Sequence, residues 1–179
     1  QAAVCRAFRE FLQGEGFTEI HTPKLGRAGA EGGSSQFRLD YFGRKAVLAQ
    51  SPQLYKQAMV GVFERVYEIG PVFRAEKHAT QRHLNEYTSL DLEMGFLHSF
   101  TDLMALEQGF LRRLVALLRQ EYAGELALLG AELPDAEHIP AVRFDEAKRL
   151  AAEAYGYAIR EPYDLEPEEE QHIGRYAKE

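Results

Sequence analysis

Polar and apolar positions alternate along residues 66–76 and again along 87–96, the spacing of strands buried on one side. In VYEIGPVFRAE, Tyr67, Ile69 and Phe73 fall on one face and Glu68, Arg74 and Glu76 on the other. In YTSLDLEMGF, Leu90, Leu92, Met94 and Phe96 make the apolar side, and Tyr87, Ser89, Asp91 and Glu93 the polar side. Paired antiparallel across the basic, His-containing connection 77–85, the two strands present one apolar surface and one that carries an arginine, an aromatic ring and several carboxylates. A surface that only meets water rarely sets Arg74 beside so many acids. The polar face therefore reads as the floor of a ligand site.

The remaining elements follow from the same pattern. Val4, Phe8, Phe11 and Leu12 recur at helical spacing over 2–13, and Gly14 and Gly16 end that helix. FTEIHT alternates as a strand up to Pro23, and the glycine-rich segment 26–35 reads as a loop. Stretches 36–41 and 46–49 flank Gly43-Arg44 as a hairpin. Ser51-Pro52 starts a helix, with Ser as N-cap and Pro at the first helical position, running to about Val60 before Gly61. Thr101-Asp102 caps a long amphipathic helix to about Tyr122, residues 127–140 are irregular, 144–155 form a shorter helix ended by Gly156, and 166–178 form a surface helix. Strands fall in adjacent antiparallel groups rather than alternating with helices, which predicts an α+β fold, an antiparallel sheet flanked by helices.

Composition narrows the function classes. The chain has 179 residues, 45% hydrophobic and 27% charged, enough for one domain with a sizeable core. No apolar run approaches the roughly 20 residues that span a bilayer, so no membrane partner is expected. The formal net charge of −7 argues against a protein that coats DNA, though not against a local basic contact with RNA. A single cysteine, Cys5, excludes an internal disulfide and fits a reducing cytoplasm. The absent initiator Met and the charged end at Lys178-Glu179 suggest a piece of a longer chain.

Candidate chemistry gathers on a few side chains. The guanidinium of Arg74 is a planar fork suited to phosphate or carboxylate, although Arg74 and Glu76 also have the spacing of a surface ion pair. Tyr87 fits either a half-buried strand aromatic or a platform for a flat ring. The connection supplies Lys77, His78, Arg82 and His83, cations suited to triphosphate oxygens; the two histidines lack the spacing of a common zinc site. Gln53 and Lys56, three apart in a first helical turn, pair a hydrogen-bonder with a point charge for a small carboxylate, while Lys56 taken alone reads first as a solvated helix lysine. Glu31 in the glycine-rich loop is a gate over a cationic group or a solvated acid, and the loop has no Walker pattern.

The order GFTEIHTP, AEGG, QSPQLYKQ, FRAE and RHLNEYTSLDLEM resembles the first part of the catalytic domain of class II aspartyl-tRNA synthetases, of the archaeal or eukaryotic type. The motifs are clear to about residue 123 and looser to 179. The resemblance implies the class II catalytic fold, in which Gly16, Phe17 and Pro23 would lie at a homodimer interface as part of motif 1. Glu31 would sit on a loop closing over aspartate, Gln53 and Lys56 would hold that substrate with Lys56 at its side-chain carboxylate, and Asp91 would take its ammonium. Arg74 would bridge the α-phosphate of ATP and the aspartate carboxylate, with Glu76 and the run Arg82-His83-Leu84 along ATP, Tyr87 stacked on adenine and Glu93 supporting the site. The substrates would be L-aspartate, ATP with Mg²⁺, and the acceptor end of tRNA.

By the same resemblance, residues 1–123 would be the catalytic core with motifs 1 and 2, and 124–179 an insertion before motif 3 in the same domain. Motif 3, its metal ligands and the anticodon-binding domain fall outside the sequence, so no metal ligand is expected within it and the chain should not aminoacylate alone. Alternatives are a relaxed enzyme charging both tRNA(Asp) and tRNA(Asn) and a tRNA-independent paralogue that makes asparagine, both sharing these residues, and an asparaginyl-tRNA synthetase, which resembles the chain through motif 2 but usually lacks the lysine of QLYK. Lys56 and Asp91 favour aspartate over the asparagine enzyme. A non-catalytic dimerisation or regulatory module on the same fold predicts a degraded site, whereas Gln53, Lys56, Arg74, Glu76, Tyr87 and Asp91 are all present.

Overall fold

A computed structural model describes residues 1–27, 36–76 and 84–177. The element order is α1 (Ala2–Gly14), β1 (Thr18–Glu19), β2 (Leu25–Gly26), β3 (Arg38–Tyr41), β4 (Arg44–Leu48), α2 (Gln53–Phe63), β5 (Arg65–Phe73), β6 (Glu86–Met94), α3 (Phe100–Glu121), α4 (Ala123–Leu129), α5 (Phe144–Tyr155) and α6 (Pro167–Tyr176). The strands form two sheets of three, in the orders β1-β5-β6 and β2-β4-β3. Two compact units divide the chain, Gln1–Pro134 and Asp135–Glu179.

The long antiparallel pair β5–β6 is the frame of the first unit. Its register sets Glu68 opposite Asp91, Gly70 opposite Ser89 and Val72 opposite Tyr87, so the polar positions of both strands share one face. The other face carries Tyr67, Ile69, Leu90, Leu92 and Met94, packed with Phe8 and Leu12 of α1, Phe17, and Leu106 and Phe110 of α3. Phe8 meets both Tyr67 and Phe110 edge to face, at 5.9 and 5.2 Å between centroids. Two helices thus seal the apolar face, and α2 packs against both strands, with Lys56 reaching the polar one.

Several boundaries differ from the sequence reading. The strand expected over 17–22 is shortened to β1, paired parallel with β5 through Thr18–Val66 and Glu19–Tyr67; Pro23 cannot continue a ladder. Leu25–Gly26, with Gly26 expected to start a loop, pairs with β4. Ser51 accepts from Gln53 N at 3.0 Å, but Pro52 is the N-cap rather than the first helical residue, and α2 continues through Gly61 to Phe63. The cap of α3 is Ser99 in a capping box with Asp102, two residues before the expected Thr101. Residues 123–129, expected to include the start of an irregular stretch, are helical up to a left-handed Gly130. The hairpin turns on Phe42-Gly43, both at positive φ (49° and 73°), as a tight primed turn requires.

In the second unit Lys148 is buried and bonds Glu169 at 2.8 Å together with the backbone carbonyls of Glu161 and Asp164. That ammonium ties α5, α6 and their connection to one point.

Candidate active site

The polar face of β5–β6 brings two of the sequence candidates into contact and puts a third further along. Lys56, from the first turns of α2, places its ammonium 2.5 Å from Asp91 Oδ1 and 3.3 Å from Glu93 Oε2, and donates to Leu92 O at 3.4 Å. The pair is mostly buried, with 18% of the Lys56 side chain and 16% of Asp91 accessible. Burial works to lower the pKa of the ammonium, but the bonds to Asp91 and Glu93 outweigh it and hold the value above its usual range. Lys56 is therefore a fixed cation and not a solvated helix lysine. Ser89 Oγ donates to the second oxygen of Asp91 at 3.5 Å. Gln53 lies on the same helix, three residues before Lys56 and part-buried.

Arg74 continues the ladder by one rung, donating its N–H to Asn85 O at 3.0 Å. It stands six residues along from the Glu68–Asp91 rung, about 20 Å by strand rise. Tyr87, opposite Val72, falls between the two. The cation, the aromatic and the guanidinium thus stand at separated points along one strand pair. Alternation stops after Phe73, because a 2.8 Å bond from Glu76 N to Arg74 O turns the chain. The facing of Glu76 is thus set by that turn and not by the pleat from which it was read. Leu84 is exposed and lines a cavity with Gln1, Val4, Cys5 and Pro71, on the side of the strand pair that faces α1 and not on the polar face. Glu31, Lys77, His78, Arg82 and His83 lie outside the described residues.

The motif 1 residues divide by exposure. Gly16 and Pro23 are exposed, while Phe17 is 5% exposed in the core, with the Arg65 guanidinium 5.6 Å from its ring centre. Beside them Glu19 receives both arms of Arg9, at 2.9 and 3.0 Å, and the Tyr67 hydroxyl at 2.9 Å. The Arg9 bonds hold Glu19 below the ordinary carboxylate range. Burial, then Glu19, pushes Tyr67 up to about 12.

Three groups on or beside the site face received no role from the sequence. Glu68 is buried and accepts from Thr22 N at 2.8 Å and Thr22 Oγ1 at 2.7 Å, with Lys24 Nζ 2.9 Å away. A carboxylate at an inward strand position requires a cation nearby, and that was the available signal for Lys24. The sequence alone could not say which of 21 basic residues answers it. Among the described residues there is no group of three or more His, Cys, Asp or Glu able to hold a metal ion, and no helix long and apolar enough to cross a membrane.

The family model for tRNA synthetases class II (D, K and N) matches residues 1–178. Over 180 residues the chain is 53% identical to the aspartate–tRNA(Asp/Asn) ligase of Deinococcus radiodurans, covering 100% of this chain and 41% of that protein. It is equally 53% identical to the enzyme of the same name from Thermus thermophilus, covering 100% of this chain and 42% of the relative. A crystal structure of asparaginyl-tRNA synthetase from Pyrococcus horikoshii, complexed with asparaginyl-adenylate, superposes with a TM-score of 0.88 at 30% identity, over 98% of this chain and 41% of that one. The chain spans about two fifths of the length of the curated relatives it matches. With nearly every residue inside the family model, and with the motif order and the sheet of that family, the chain belongs to the class II tRNA synthetases of the D, K and N group.

Proposed function

We infer that the protein is an aspartate–tRNA ligase, which activates L-aspartate with ATP and passes the aspartyl group to tRNA. The observation that carries this reading is the buried Lys56–Asp91 contact on the face that also bears Arg74. An amino acid with two carboxylates and an ammonium needs both signs of charge at close range, and an adenylate needs a further cation along the same line. Lys56 faces the side-chain carboxylate, its longer bonds to Glu93 and Leu92 O being the ones that yield, and Asp91 takes the ammonium. Gln53 supports the substrate from the same helix, with Glu31 on the closing loop. Tyr87 stacks on adenine, and Glu76, Arg82, His83 and Leu84 lie along ATP.

In the first step an oxygen of the aspartate α-carboxylate attacks the α-phosphorus in line, and the bond to pyrophosphate breaks. Arg74 neutralises charge gathering on the phosphoryl oxygens, and the sheet holds both reactants in place; no protein nucleophile is required. The terminal ribose hydroxyl of tRNA then attacks the aspartyl carbonyl and releases AMP. Mg²⁺ would neutralise the polyphosphate, but Glu68, Asp91 and Glu93 are engaged by lysines. These carboxylates do not form its site, and no step here depends on it. Selection against asparagine rests on charge, since a neutral amide leaves the ammonium poorly compensated.

The protein acts as a cytoplasmic homodimer with Gly16, Phe17 and Pro23 in the interface region, Phe17 from beneath it. Residues 1–123 are the core carrying motifs 1 and 2, and 124–179 an insertion before motif 3. A second reading, relaxed charging of both tRNA(Asp) and tRNA(Asn), is favoured by the Asp/Asn name of the two relatives at 53% identity. Charging of each purified tRNA by the full-length protein tests both. Aspartylation of tRNA(Asp) alone supports the strict enzyme, aspartylation of both the relaxed one, and of neither contradicts the proposal.

A further inference from the structure

Where the long strand pair ends, the backbone of Arg74 is held by a residue that carries none of the roles assigned above. The last paired rung is Phe73–Glu86, and Arg74 and Asn85 stand where the next would be. A regular rung of that kind exchanges two bonds, each N–H meeting the carbonyl opposite. Among the described residues one half of the exchange is kept, with Arg74 N donating to Asn85 O at 3.0 Å. The carbonyl of Arg74 receives Glu76 N at 2.8 Å instead, together with the side-chain amide nitrogen of Asn85 at 3.2 Å. That same nitrogen lies 3.2 Å from the carbonyl of Glu76. The amide has its nitrogen on this side because an oxygen there would face acceptors only.

Asn85 therefore grips Arg74 at both polar groups of its backbone, the N–H through a main-chain carbonyl and the C=O through a side chain. Glu76 N and the amide together use both lone pairs of that C=O. The place calls for amide chemistry. Two carbonyls need two donor hydrogens on one short arm, which an NH₂ group supplies and a hydroxyl or carboxylate does not. Asn85 is itself exposed, so burial in a core does not account for its contacts. What those contacts hold is the turn that carries Arg74 and Glu76, the two residues of β5 and its end that the reading above places at ATP.

We propose that Asn85 is a positioning residue for adenylate formation, acting through Arg74 by clamping its backbone so that the guanidinium meets the phosphate. This rests on the ATP role inferred for Arg74 and Glu76 and adds the group that sets their direction. A cation that stabilises charge developing in the transition state has to be in place beforehand, and a misplacement of about 1 Å costs up to about a hundredfold in rate.

Pyrophosphate exchange by the full-length protein tests the proposal. Lack of aspartate-dependent exchange in the wild type overturns the reading of the site and this proposal with it. With exchange present, Asn85→Ala removes both donors and adds no charge. The kcat is expected to fall about tenfold or more and the KM for ATP to rise about threefold or more. The KM for aspartate should stay within about twofold, because the Lys56–Asp91 contact lies about 20 Å down the strands. That split supports the proposal. An unchanged kcat, or equal losses in both KM values of the kind a loosened fold gives, overturns it alone. If the variant does not fold, a crystal structure of the wild type with aspartate and a non-hydrolysable ATP analogue decides. The Asn85 amide within about 3.5 Å of both carbonyls, with Arg74 on the α-phosphate, supports the assignment, and an amide turned away from them overturns it.

Discussion

Asp91 holds two jobs that pull in different directions. It neutralises Lys56 in the free protein at 2.5 Å and is assigned the substrate ammonium in the complex. Asp91→Asn keeps the shape and removes the charge, so the KM for aspartate in pyrophosphate exchange should rise about tenfold or more while the KM for ATP stays nearly unchanged. Equal loss of both would contradict the ammonium role. The residue scale is also where sequence reading reached furthest on β6, since Ser89, Asp91 and Glu93 were placed on one face by alternation alone and the register keeps them there. It stopped where a contact depends on a residue from another segment. Nothing in HTPK says that Lys24 bends over Gly70, because that contact exists only once β1 lies beside β5.

Among elements, β5 is held from the side by β1 through a short polar chain from Arg9 to Glu19 to Tyr67. The Tyr67 hydroxyl ionises near pH 12 in the fold against 10.0 ordinarily. Its contribution to stability is complete below pH 10 and is lost as pH rises toward about 12, because the unfolded chain gives up the proton first. Denaturant unfolding across that window should show stability falling with pH in the wild type, and a shallower fall in Tyr67→Phe. Identical slopes would contradict the buried hydroxyl. Glu19 acts at the other limb: its depressed value contributes stability above its ordinary 4.5, lost as pH falls through the folded value.

Long elements with a clear period were legible: α1, β6, α3 and α5 fall within about two residues of their expected places, and β5 ends three residues before its expected end at Glu76. The two-residue strands β1 and β2 were not. One was read too long and the other missed, because a strand of that length is defined by its partner and not by its own pattern.

At the scale of the whole chain, the two compact units should lose structure separately. Lys148 is 2% exposed and saturated by one carboxylate and two carbonyls, so removing it leaves Glu169 buried without its counter-charge. Lys148→Met should destabilise Asp135–Glu179 by about 3 kcal/mol. Hydrogen exchange would show protection lost in α5 and α6 and kept in α1, β5, β6 and α3; loss throughout would contradict independent units. This knot was invisible in the sequence, where Lys148 looks like any lysine of an amphipathic helix.

The assignment as a whole depends on Lys56 being the cation for aspartate, and aspartate-dependent pyrophosphate exchange by the Lys56→Ala full-length protein measures that most directly. A fall of about a hundredfold with the thermal midpoint moved by only a few degrees is the predicted result. An exchange rate equal to that of the wild type would remove Lys56 from the site and contradict the account.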